Sequence, residues 1–249
     1  MYKYLDLKLR YGINPEKGFD ALALETASRE AMSEMSSLMK YQGRTINFQS
    51  PFMDLAQGVL DELFLEVTDR RLQETMELVP VFRPQSGVFH TGYDERRYHA
   101  HRAEWLSGSL ATWEPLVQQA EEMGVVIHLE NVYEQTPEMI LTLIEEMDSE
   151  NLGFCLDMGH MNVFGEVTLS EWLDALGPHL KEVHLHDNNG LSDSHGPIGS
   201  GTAPFKELFQ YLHDQEKRPV VTLEPHEEAT LWVSLENLEK LWPWQEEGP

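Results

Sequence analysis

At 249 residues, 41% of them hydrophobic, the chain suits one large α/β domain that buries about three-quarters of its unfolded surface without disulfide support. Lys plus Arg number 18 against 43 Asp plus Glu, a formal charge of −25 that sets the average surface against a nucleic-acid backbone. The lone cysteine, Cys155, excludes an internal disulfide, and the opening MYKYLDLKLR has no apolar stretch long enough for export or membrane insertion, so a cytoplasmic location is expected.

In chain order, strand-like runs fall at 2–9, 45–50, 86–90, 125–130, 152–157, 181–187 and 219–224, with helical periodicity between them. Leu24, Ala27, Ala31, Met35 and Leu38 form the apolar stripe of the first intervening helix, and Leu106, Leu110, Trp113, Val117 and Ala120 that of a later one. Thr136-Pro137 opens a helix, Gly124 closes one before VVIHLE, and Gly177-Pro178 ends the helix 169–176. This alternation predicts a TIM-type (β/α) barrel in a single domain, residues 1–249, with seven clear strands rather than eight and the first strand–helix unit missing. No linker or repeat divides the chain, and the tail QEEGP reads as a frayed end. Two polar connections, 91–101 and 187–202, exceed the usual loop length, which marks them as functional.

Five of the strand-like runs end on a residue that can hold a metal: His90, Glu130, Asp157, His184 and Glu224. Their spacings of 40, 27, 27 and 40 residues each match about one strand–helix unit, so barrel closure would bring neighbouring endings around one ion of oxygen- and nitrogen-binding character, such as zinc, manganese, cobalt or iron. Side-chain alternation turns Thr222 inward with Glu224, and His186 with His184. It also places Cys155 inward, below Asp157, as core filling.

The runs HLENV at 128–132, CLDMGH at 155–160, VHLHDN at 183–188, SDSHGPIGSG at 192–201 and TLEP at 222–225 resemble the xylose-isomerase-like TIM-barrel superfamily, which includes sugar isomerases, sugar epimerases and endonuclease IV. The resemblance spans roughly residues 2–240. It implies that Glu130, Asp157, His184 and Glu224 bind the principal divalent metal. In the endonuclease branch a further metal is held at the positions of His160, Asp193 and His195. Here those residues form either a second metal site or a cluster that binds substrate or orders the loop. A third metal of that branch requires a histidine where this chain has Gln49 in INFQSPF, which argues against that activity.

The expected function is a metal-dependent isomerase or epimerase of a sugar or sugar-like polyol, with proton or hydride transfer between Glu130 and Glu224 and with His160 at the substrate oxygen. His90, Gln49, His186 and Asp187 are the expected substrate contacts, and a homo-oligomer is a compatible assembly. One ion is expected, two or three under the rival readings. These rivals are a metal-dependent phosphodiesterase of the endonuclease IV type, and a non-catalytic metal-binding barrel whose missing strand leaves an edge open.

Overall fold

The computed structural model describes residues 5–26 and 28–244 of the chain, so the tail QEEGP, Ala27 and the start of the expected strand 2–9 lie outside the described residues. Seven strands run in order through one sheet: β1 (Glu16–Gly18), β2 (Asn47–Gln49), β3 (Ser86–His90), β4 (Val126–Glu130), β5 (Leu152–Asp157), β6 (Leu180–Leu185) and β7 (Val220–Leu223). The β1–β2, β2–β3, β5–β6 and β6–β7 registers are parallel, and helical segments separate successive strands. That is the progression of a (β/α) barrel. No helix among the described residues is long and apolar enough to cross a membrane.

Two expectations are corrected. Leu5–Tyr11 is a helix rather than the end of a strand 2–9. The alternation of Leu5, Leu7 and Leu9 mimics a strand, but Leu, Lys and Arg are also strong helix formers, and Gly12 at φ +67° supplies the left-handed turn that stops the helix. The first strand is instead β1, whose residues Glu16, Lys17 and Gly18 carry no apolar signal and are placed by pairing with β2. Likewise the stripe from Leu24 to Leu38 does not run through one helix. Ser28 caps a new helix at Arg29–Tyr41 through the Ala31 N–H, and the buried face becomes Met32, Met35, Ser36 and Met39, leaving Leu38 exposed.

Contacts divide the chain into two compact units, residues through Leu129 with Thr142–Gly153, and Glu130–Leu141 with the chain from Phe154 onward. In the first, an aromatic series fills the interior: Phe19 lies 6.3 Å from Phe48, Phe48 lies 5.8 Å from Phe89, and Phe89 meets Trp113 edge-on at 5.8 Å. Trp113 belongs to the helix Arg102–Met123, which ends on Gly124 at φ +66°. In the second unit Phe154 of β5 stacks on Trp172 at 6.0 Å. Trp172 sits on the helix Leu169–Leu176, started by a capping box between Thr168 and Glu171. Burying such side chains contributes about 1.5–3 kcal/mol each, which holds the strands rigid beneath the loops.

The connection after β6 is ordered by one side chain. The Asp187 carboxylate, fully buried, accepts the main-chain N–H groups of Asn188 at 2.8 Å, Gly201 at 2.7 Å and Ala203 at 3.1 Å. Its backbone bridges Gly196 in both directions, at 2.9 and 2.7 Å. The loop is therefore folded back on the strand end, and His195 is held in it at φ +48°.

Candidate metal centre

All the groups that compose the centre lie in the second unit. Glu130 ends β4, Asp157 ends β5, His184 lies in β6 and Glu224 follows β7, and one ligand atom from each lies within 4.8 Å of every other. His184 Nδ1 faces Glu130 Oε1 at 3.3 Å and Glu224 Oε1 at 3.0 Å. Glu130, Asp157 and His184 are completely buried, with Glu224 partly so. Three carboxylates this close repel one another strongly out of water, and Asp157 Oδ2 is buried with no hydrogen-bond partner. A divalent cation would satisfy both, and a set of three carboxylates and one imidazole suits manganese, cobalt, iron or zinc. The residues present therefore fit the metal that the resemblance implies.

Local structure explains how Asp157 is aimed. It is the N-cap of the helix Met158–Phe164, its Oδ1 accepting the His160 N–H at 2.6 Å, which leaves the other oxygen for the centre. Asn131 grips its backbone from the neighbouring strand end, accepting the Asp157 N–H at 2.9 Å and donating to the Asp157 carbonyl at 3.0 Å. The Asn131 carbonyl in turn accepts from His160 Nδ1 at 3.1 Å. Nothing in the residue type of Asn131 marks this role in the sequence. The only hint was its place just past Glu130 in HLENV.

A second cluster adjoins the first. His160, His186, Asp193 and His195 also offer ligand atoms within 4.8 Å of one another. The structure thus adds His186 to the three residues expected there. Its Nε2 lies 3.0 Å from Asp157 Oδ1, linking the clusters, and its ring stacks on His195 at 3.7 Å. His195 donates through Nδ1 to the Glu224 carbonyl at 2.9 Å and stacks on exposed His226 at 3.9 Å. Asp193 Oδ2 faces His160 Nε2 at 3.4 Å and His195 Nε2 at 3.3 Å. Burial opposes charge on these groups, but their mutual contacts prevail. Asp193 stays well below the usual carboxylate range, and His195 is raised by Asp193 and the Glu224 carbonyl. His160 is raised well above its ordinary value by Asp157, Asp193 and Glu130.

Gly159 is required by this packing, because a Cβ there would overlap the His186 ring. Gly159→Ala is expected to destabilise the protein by about 1–3 kcal/mol as the ring or the helix gives way. Thermal unfolding checks this, and an unchanged midpoint would mean that the ring is free to swing aside.

Of the expected substrate contacts, Asp187 is occupied by three main-chain N–H groups and His186 belongs to the second cluster. In the first unit, Gln49 Nε2 and His90 Nε2 lie 3.3 Å apart, and Phe52 stacks on the His90 ring at 4.4 Å, a polar pair backed by an aromatic face and suited to holding a hydroxyl. Arg96 is held in a bidentate pair with Asp94, at 2.9 Å through each nitrogen.

Carboxylates and histidines gathered at the ends of parallel strands, in a strand–helix progression, define a (β/α) barrel with a candidate metal centre. The chain belongs to the xylose isomerase-like TIM barrel family, which matches residues 15–243. It is 30% identical to the uncharacterized protein MJ1311 of Methanocaldococcus jannaschii over 84% of this chain and 75% of that protein. It is also 30% identical to the D-psicose 3-epimerase of Enterocloster bolteae, over 44% of this chain and 36% of that enzyme. Among solved structures, a D-tagatose 3-epimerase-like protein superposes with a TM-score of 0.77 at 27% identity, covering 86% of this chain and 83% of that one. The TTHB071 protein of Thermus thermophilus, soaked with ZnCl2, does so with a TM-score of 0.80 at 26% identity, covering 99% and 94%.

Proposed function

We propose that this protein is a divalent-metal-dependent isomerase or epimerase of a sugar or sugar-like polyol. The observation that carries the reading is the convergence of two glutamates from β4 and β7 on His184 Nδ1, at 3.3 and 3.0 Å. The epimerase relatives support it. When bound, the ion polarises substrate oxygens and offsets the charge that develops as a carbon-bound proton leaves. Glu130 and Glu224 approach the centre from two different strand ends, so one removes the proton and the other returns it on the opposite face. Asp157 and His184 hold the centre. His160, which faces Glu130 Oε1 at 3.5 Å and Asp157 Oδ1 at 3.6 Å beside the centre, is placed to contact a substrate oxygen.

A second reading, hydrolysis of a phosphodiester, draws on the cluster of His160, His186, Asp193 and His195, which has the donors for another ion. The formal charge of −25, and Gln49 where that branch requires a histidine, place it second. Metal content per folded chain separates the two. One tightly held ion, with epimerisation of a ketose and no phosphodiester cleavage, is the expected result. Two or more ions together with phosphodiester hydrolysis would replace the first reading with the second.

A further inference from the structure

One buried carboxylate in the second unit is used by nothing above. Glu182 precedes His184 by two residues in β6, so both side chains point to the same face of the sheet. It is completely buried. Its Oε1 accepts from Thr222 Oγ1 at 3.0 Å and lies 3.8 Å from His184 Nε2. The two nitrogens of the His184 ring thus face opposite ways, Nδ1 toward Glu130 and Glu224, Nε2 toward Glu182.

We infer that Glu182 is the positioning residue of the metal centre. With Nδ1 given to the ion, the proton of His184 is left on Nε2, where Glu182, fixed by Thr222, is the carboxylate placed to accept it once the ring closes the 3.8 Å gap. An imidazole that ligates through Nδ1 carries its proton on Nε2, and Glu182 is the carboxylate that faces that nitrogen. A carboxylate so placed also makes the imidazole a stronger donor to the metal. Glu182 would not touch substrate, and so is not a catalytic residue.

This inference rests on the metal reading given above, and its test keeps the two apart. Metal-free wild type, Glu182→Gln and Thr222→Val are titrated with Mn2+ in a calorimeter, and their thermal midpoints are measured without metal. Glu182→Gln is expected to bind Mn2+ about 10–100-fold more weakly, while its metal-free midpoint holds, because the amide oxygen still accepts from Thr222. Thr222→Val should lose affinity in the same direction by a smaller factor, and it carries the test if Glu182→Gln does not fold. A merely structural role would lower the metal-free midpoint and leave the affinity of the folded protein unchanged. Wild-type affinity in the variants overturns the inference. Wild type that takes up no Mn2+, Zn2+ or Co2+ overturns the metal reading itself, and the inference with it.

Discussion

Glu130→Gln and Glu224→Gln are each expected to lower turnover of a ketose substrate by about 10²–10⁴-fold, the usual contribution of a positioned acid or base. Each amide loses the proton acceptor and is a poorer metal ligand, so metal content must be measured on the same samples to separate the two effects. Neither variant should unfold. Glu130 and Glu224 sit in a cluster of three carboxylates, and removing one charge relieves repulsion in the metal-free protein. In D2O the wild type should build deuterium into its product at the carbon that inverts. Transfer through two glutamates requires this, because a proton taken by one is not the proton returned by the other. Wild-type turnover in both variants would sink the two-glutamate reading. Product free of solvent deuterium would point instead to hydride movement.

β3, β4 and β5 are legible because each is a short, largely apolar run ending in a polar residue, and β2, β6 and β7 overlap the strand-like runs 45–50, 181–187 and 219–224. β1 is not legible, since Glu16, Lys17 and Gly18 offer no hydrophobic period and hold their place through main-chain pairing with Asn47, Phe48 and Gln49. The leucines of Leu5–Tyr11 satisfy strand and helix periods over so short a run, and the sequence could not arbitrate between them. In the candidate site, Glu130, Asp157, His184 and Glu224 were readable as strand endings. Asn131, Glu182 and the place of His186 were not, because they depend on what a side chain meets across the sheet rather than on where it lies along the chain. Inward alternation could have flagged Glu182 as the partner of His184. No local pattern announces that Asn131 clasps the backbone of Asp157, a residue 26 positions away.

Asp187 offers a test that separates the loop from the strand ends. Asp187→Ala would leave the N–H groups of Asn188, Gly201 and Ala203 without their buried acceptor. Hydrogen bonds to a charged group are worth about 1.5–3 kcal/mol each, with partial relaxation of the loop, so a loss of about 3 kcal/mol is expected. For a chain of this size the thermal midpoint should then fall by roughly 6–12 °C. The loop carries Asp193 and His195, so the second cluster should come apart. Glu130, Asp157 and His184 are set by strands and should still bind one ion together with Glu224. If one centre suffices, as proposed for an isomerase or epimerase, Asp187→Ala keeps measurable turnover below its lowered midpoint and remains far more active than either glutamate variant. Loss of all turnover in a folded variant that still holds its ion would move Asp193 and His195 into the essential machinery, as the hydrolytic reading requires. An unchanged midpoint would show that the carboxylate does not order the loop.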